Sequence, residues 1–563
     1  MPLTDLFNCL SLGRNAPIVL ELDLARGLLE TSPRNPFQAL QALNATSMAA
    51  VRAHLEQARE DDRVLGLIVH AVDPGQPLSV LDEVAELIAY FGEKKPTAAW
   101  AESFGELSQA MGAYQVAAAA QHVWLQPTGA LGISGVDATI VLFKHMFAKI
   151  GVEPQFGQRW EYKSAADQYS ADEVTQANRE MMTRLVDSTV ATSVATIAAR
   201  RGQSIDEVWD AVNNSPLAAA EALERGLVDA LGYRDEVYAA CLADWGAEPD
   251  HLRYVQRYSA QQPIAASFTR RRWPKVAVVR VQGGIDTGRG RSSGPMGEST
   301  GADVVDEQLR AVLRDENIKA VLLDVDSPGG SAVASDFIRR SVIRVRESGR
   351  PVVARMGSVA ASGGYYVSMG CNEIVAQAST LTGSIGVLAG KFVTAGLYEK
   401  LGIVREPVRS GAQAGMLSSA TAFTDDDWVK LNEFLDRVYL DFTTLAAKDR
   451  GMDYEALEAL AKGRVWTGAD ALAHGLIDHI GGWRLAYERA CRLAGVSPEA
   501  STVHRMSRLG PLEQLLPAAS SESVSASAVP VAVGPEDLLQ RAAAWLGLPV
   551  HGALSLPFGI TLR

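Results

Sequence analysis

Cysteine is scarce in this chain: Cys9, Cys241, Cys371 and Cys491 stand far apart, with no C-x-x-C pair among them. That excludes a disulfide scaffold and a thiolate metal site, and it leaves four buried thiols of a reducing compartment. Positive charge is in deficit too. A net charge of −13 at pH 7 argues against general nucleic-acid binding, which needs a basic face to pair with phosphates. No window supplies the roughly 18 uninterrupted apolar residues that a membrane-spanning helix needs. Asp5, Arg14, Glu21 and Asp23 interrupt the N-terminal stretch, so no secretory leader is expected there. The expected location is the cytoplasm or the periphery of the cytoplasmic membrane. What is present is a globular composition, 47% hydrophobic and 21% charged over 563 residues, enough for several domains with sizeable cores.

The chain is written twice. "VLGLIVHAVDPGQP" (64–77) echoes "IKAVLLDVDSPGG" (318–330), and the stretch 94–136 runs parallel to 349–387. "AAAEALERGLVDALGYRDEVYAAC" (218–241) answers "TGADALAHGLIDHIGGWRLAYERAC" (467–491). The order is the same in both copies, so one large domain is duplicated rather than a short unit stacked. The division expected is a first repeat over 1–252, a linker over 253–275, a second repeat over 276–504 and a low-complexity tail over 505–563. Within the tail, "PEDLLQRAAAWLGL" reads as a short amphipathic helix. "RRRWPK" in the linker reads as a solvated charged joint, with peripheral membrane contact as the sharper alternative.

In the second copy, "VAVVRVQG" (276–283), "KAVLLDVDS" (319–327), "PVVARM" (351–356) and "EIVAQ" (373–377) read as strands. "DVVDEQLRAVLRD" (303–315) and "ASDFIRRSVIRVRES" (334–348) read as the helices between them. Such alternation predicts an α/β fold with a mostly parallel sheet in each copy. A long helix follows each sheet. One is expected to open at Ser170 with a capping box to Glu173, the other at Thr424.

The copies have lost complementary parts. "GISGV" at Gly132 aligns with "GSIGV" at Gly383, which sets Ser362 of "AASGGYY" opposite Met111. At the same offset, Lys163 of "EYKSAAD" lies opposite Ala414. One copy keeps a hydroxyl, the other an amine. Alone, Lys163 reads as a surface residue and Ser362 as a turn residue; together they read as one composite site.

A serine hydroxyl attacks a carbonyl only if a base takes its proton. Downstream of Ser362 no histidine occurs before His474, which sits in a stretch that reads as a helix start, and the nine histidines form no visible constellation. A lysine can serve instead, provided that burial lowers its pKa; the aromatic flank "WEYK" is the expected source of that burial. "DSPGGS" (326–331) places a Pro-Gly turn after a strand, and the N–H groups of Gly330 and Gly363 are candidate oxyanion donors. Ser384 adds a hydroxyl fit to orient the lysine. No metal and no cofactor are implied.

Together "DSPGGS", "AASGGYY", "TLTGSIGV", "EYKSAAD" and "VWTGADALAHGLID" resemble the signal peptide peptidase A (protease IV) family in its long, duplicated form. The resemblance covers roughly residues 17 to 500. It implies a tandem duplication of a Clp protease/crotonase-like ββα spiral, each copy with a helical arm, and a serine endopeptidase that degrades cleaved signal peptides. By matching position it implies Ser362 as nucleophile, Lys163 as general base, Ser384 as its orienting partner, and Gly330 with Gly363 as oxyanion hole. A homotetrameric ring is implied as well. The competing readings are a crotonase-like acyl-CoA enzyme, which needs no Ser/Lys pair, and an inactive peptide-binding scaffold.

Overall fold

The computed structural model describes residues 16–30, 45–106, 108–259, 273–290, 299–506 and 554–555. The chain divides into two compact units. One comprises residues 1–137, 189–266 and 561–563; the other comprises 138–188 and 267–560. The amphipathic helix expected in the tail and the basic run of the linker, residues 270–272, lie outside the described residues.

Each unit is built on a parallel sheet, and the two sheets share one strand order. In the first unit the order is Ala230–Leu231, His122–Leu125, Thr97–Ala101, Val64–His70, Ile18–Asp23 and Leu252–Tyr254, all parallel. In the second it is His479–Ile480, Glu373–Ala376, Val352–Ala361, Ile318–Gly330, Lys275–Asp286 and Thr502–Arg505, again parallel, with Ser299–Gly301 beside the distal half of Lys275–Asp286. The expected α/β class and the tandem duplication therefore stand. Both faces of the central strands are covered, which is why they read as near-continuous Val, Leu and Ala runs rather than as alternation. Val321, Leu322, Leu323 and Val325 are all fully buried. At roughly 1.5–3 kcal/mol for each large apolar side chain removed from water, these strands form the stable floor of the site.

The helices fall close to their expected places, Ala302–Arg314 and Ala332–Glu347. Thr424 caps the long helix Asp425–Arg450 and makes a reciprocal capping box with Asp427. Its counterpart departs from expectation. Ser170 ends the short helix Asp167–Ser170 and donates its hydroxyl to Ala166 O (2.8 Å), and the long helix begins only at Gln176. The hydroxyl that accepts from the helix backbone is Thr175, from Asn178 N at 3.3 Å. Likewise His474 ends the helix Gly468–Ala473 rather than starting one, with its ring 4.5 Å from that of Trp466.

One histidine constellation exists that sequence spacing does not reveal. In the first unit His70 Nδ1 lies 2.8 Å from Asp23 Oδ1 and its Nε2 2.8 Å from Glu102 Oε2, while the ring stacks on Trp100 at 4.2 Å. Burial alone would lower the His70 pKa, but the two carboxylates win and hold it above the ordinary value. Asp23, His70 and Trp100 are register partners on adjacent strands, as are Arg280, Asp324 and Arg355 in the second unit. There Asp324 lies between two guanidiniums, 3.4 Å from Arg280 and 3.1 Å from Arg355. The same row is bound by charge in both units, with the signs exchanged.

Candidate active site

Ser362 sits where the strand Val352–Ala361 gives way to the helix Gly363–Met369, at φ 54° and ψ −113°. This is a tight strand-to-helix elbow that turns the side chain out of both elements. Its N–H donates to Gly383 O (2.8 Å), and the helix behind it is anchored by Tyr365, whose buried hydroxyl donates to Leu476 O (2.9 Å). The Tyr366 ring packs 4.7 Å from Phe442.

The small residues around the serine have a packing reason. A Cβ on Gly364 would lie 2.4 Å from Ser327 O, and one on Gly363 would lie 2.7 Å from Ser335 Oγ, 3.0 Å from Gly329 Cα and 3.1 Å from Gly330 N. The "AASGG" and "DSPGG" segments are thus pressed together, backbone on backbone. The Pro-Gly turn expected in the second of these is not a turn. The strand runs on through Gly330, with register shifts on both sides and Gly329 at φ +105°. Ser327 accounts for this: its hydroxyl donates to Gly283 O (2.6 Å) and accepts from Gly329 N (3.1 Å), which holds the chain extended over a bulge.

Lys163, whose side chain is fully buried, reaches the same point within one chain and one unit. Its Nζ is 3.0 Å from Ser362 Oγ, and it donates to Ser384 O (3.0 Å) and to Ser384 Oγ (2.9 Å). Burial pushes its pKa down from 10.5 to about 7. The burial does not come from the aromatic flank: Trp160 is 48% exposed. Glycines supply it instead. A Cβ on Gly463 would stand 2.5 Å from Lys163 Cβ, and one on Gly386 would stand 3.3 Å from Lys163 Cδ. Ser384 is held by its own N–H, which donates to Arg464 O (2.7 Å). The structure therefore gathers Lys163, Ser362 and Ser384, and sets Gly363 against Gly330.

Backbone strain is concentrated here. Among the described residues, the non-glycine positions with positive φ are Trp160 (66°), Ser362 (54°), Ser384 (50°) and Lys462 (51°). Two of them bear the interacting hydroxyls; Lys462 adjoins Gly463, and Trp160 lies shortly before Lys163 in the chain. Each such conformation costs on the order of 1–3 kcal/mol and persists only where surroundings enforce it.

Gly463 belongs to the site as well, although the motifs do not include it. A signal for it is present: matching "ALERGL" with "ALAHGL" places Asn214 at its position in the first copy, so the glycine occurs only in the copy that has the serine. Gly463→Ala forces a Cβ into the Lys163 backbone at φ +82°. The expected result is a folded protein whose kcat for peptide hydrolysis falls about tenfold to a hundredfold, the scale of a 1 Å misplacement. Steady-state kinetics beside circular dichroism checks it.

The chain belongs to the family described as Peptidase family S49, whose pattern it matches twice, over residues 89–246 and 344–497. It is 31% identical over 458 residues to "Serine protease SPPA, chloroplastic" of Arabidopsis thaliana, covering 80% of this chain and 66% of that protein. It is 28% identical to "Protease 4" of Salmonella typhi over 80% of this chain and 73% of the relative, and 29% identical to "Protease 4" of Haemophilus influenzae over 78% and 72%. The resemblance carried by the motifs is thus upheld at the level of the family. Among the described residues, no helix is long and apolar enough to cross a membrane.

Proposed function

We propose that this chain is a serine endopeptidase in which Ser362 is the nucleophile and Lys163 its general base. The observation that carries the reading is an amine, wholly buried and with its pKa lowered to about 7, lying 3.0 Å from a serine hydroxyl on a strained elbow. Near neutral pH much of that amine is uncharged. It donates two N–H groups to Ser384 O and Oγ, which leaves its lone pair for the Ser362 proton.

On this reading, Ser362 Oγ bonds to the scissile carbonyl carbon as its proton passes to Lys163 Nζ. The negative charge on the carbonyl oxygen is met by the N–H groups of Gly330 and Gly363. The C–N bond then breaks, the leaving amine takes the proton from Lys163, and water releases the acyl group from Ser362 by the same route reversed. An acyl-CoA enzyme has no use for the Ser362–Lys163 contact, and a scaffold has none for the strain.

The substrates proposed are cleaved signal peptides and other apolar peptides, bound as an added strand. Copies of the chain are proposed to form a homotetramer. Apolar side chains on the segment after the helix Ala395–Lys400 favour contacts with other copies or with a membrane surface: Leu401, Val404, Val408 and Leu417 are all more than half exposed. The cytoplasm or the cytoplasmic membrane surface is the proposed location.

The test is hydrolysis of a fluorogenic apolar peptide together with labelling by a fluorophosphonate. Wild type is expected to cleave and to be labelled on Ser362, whereas Ser362→Ala loses the label and at least a thousandfold in kcat/KM. Full turnover by Ser362→Ala sinks the assignment.

A further inference from the structure

Arg464 has no part in the acyl-transfer steps, yet its contacts close a ring around the base. Its carbonyl accepts from Ser384 N (2.7 Å), and Ser384 in turn accepts from Lys163 Nζ. It follows Gly463, the glycine set against Lys163. The Arg464 side chain turns back towards the lysine's own segment. Its guanidinium lies over the Tyr162 ring, 4.7 Å from the centroid, and over the Trp466 ring at 4.6 Å. Its Nη1 is 2.9 Å from Glu180 Oε1, and the other oxygen of that carboxylate accepts from the Tyr162 hydroxyl (3.0 Å). Tyr162 adjoins Lys163 in the chain, so the links run from the amine through Ser384, Arg464 and Tyr162 back to the amine, all within one unit. Matching "ALERGL" with "ALAHGL" sets Ser215 opposite Arg464. The guanidinium, like Gly463, therefore occurs only in the copy that has the serine.

Resting on the peptidase reading, we infer that Arg464 is a positioning residue for the general base: its guanidinium clamps the Tyr162–Lys163 segment to the main chain that holds Ser384, and so keeps Lys163 Nζ within reach of Ser362. A flat guanidinium suits the task, because it can lie on aromatic faces while its fork meets a carboxylate. The fold at large is held elsewhere. About one and two turns farther along the helix Gln176–Arg201, Arg184 Nε donates to Asp470 Oδ2 (3.0 Å) and Ser188 Oγ lies 2.7 Å from Thr467 Oγ1. Glu180, Arg184 and Ser188 recur at the spacing that puts them on one face of that helix. Loss of the Arg464 side chain leaves the Arg184 and Ser188 contacts in place and frees only the end next to the base. The Arg464 charge is not the lever. It is paired with Glu180, and the Lys163 amine owes its lowered pKa to burial.

The experiment measures kcat and KM for the fluorogenic apolar peptide in the full chain carrying Arg464→Met. Arg184→Met is the control, since it breaks a comparable ion pair one turn along the same helix. Arg464→Met is expected to lose about tenfold to a hundredfold in kcat, the scale of a misplaced catalytic group, with KM within about twofold of wild type. Arg184→Met is expected to keep its kcat. Arg464→Lys retains the charge without the flat fork and should restore little. Glu180→Ala, at an exposed residue, removes the carboxylate that both Arg464 and Tyr162 use and should lower kcat about three- to tenfold. Hydrogen exchange at the Ser384 amide, measured in Ser362→Ala, needs no turnover and should quicken when Arg464→Met is added. Unchanged exchange together with unchanged kcat, in Arg464→Met or, where that variant does not fold, in Glu180→Ala, overturns the clamp and leaves the peptidase standing. An equal loss in Arg184→Met, or full restoration by lysine, overturns it too. Quickened exchange in a chain whose wild type cleaves nothing upholds the geometry of the clamp and overturns the peptidase reading instead.

Discussion

Lys163→Met is expected to lower kcat/KM for peptide hydrolysis by about three orders of magnitude, within the range attributed to a positioned general base. Methionine is close in length to lysine and apolar, so it fills the slot between Gly386 and Gly463 without the amine. The loss would therefore be chemical rather than a collapse. Stability supplies the control. Folding moves the Lys163 pKa from 10.5 to about 7, so the folded state binds fewer protons than the unfolded state between those values. Stability thus rises with pH through that window, and below it the burial costs on the order of a few kcal/mol. Against this stand the amine's contacts with Ser362 and Ser384, each worth about 1 kcal/mol. At pH 7 the variant should melt no lower than wild type while being nearly inactive. If it melts far lower, the lysine is a structural strut; if it keeps full activity, another group is the base.

The second large effect is the pH profile. Only the neutral amine can take the serine proton, and its fraction falls about tenfold per pH unit below a pKa of about 7. From pH 8 to pH 5, kcat/KM should drop roughly a hundredfold along a limb of unit slope. An exposed lysine would put the midpoint of that limb above pH 10 and leave almost no activity at pH 7. A profile that is flat between pH 5 and pH 8, measured on protein shown to stay folded, removes Lys163 from the role. Ser384→Ala offers a finer check: with one acceptor gone from the amine, kcat should fall while the midpoint of the limb moves.

Much of the site is legible in the amino-acid sequence, because duplication provides an internal control. Met111 opposite Ser362 and Ala414 opposite Lys163 point to one shared site without any alignment of relatives. The strands are legible as well, since burial on both faces writes continuous apolar runs such as "VAVVRV" and "KAVLL". What escapes the sequence depends on neighbours distant in the chain. The capping signature at Ser170 and Glu173 is a purely local pattern, and it loses to a short helix that uses the same hydroxyl on Ala166 O. "DSPGGS" looks like a turn because Pro-Gly usually is one, yet Ser327 bonds it to Gly283 and holds it extended. The groups that bury Lys163 come from Gly386 and Gly463, more than two hundred residues away, whereas the aromatics beside it are neighbours in sequence only. His70 meets Asp23 and Glu102 only because parallel strands bring their ends together.

The allotment of residues 138–188 to the unit of the second copy has a genetic consequence. A gene split at the boundary between repeats would place Lys163 on one product and Ser362 on the other, so that neither product alone would hold both. The first would need a serine in place of Met111, and the second a lysine in place of Ala414 along with the backbone to bury it. On the proposed reading, the two halves are therefore inherited as a single working unit, and a lesion in either silences both.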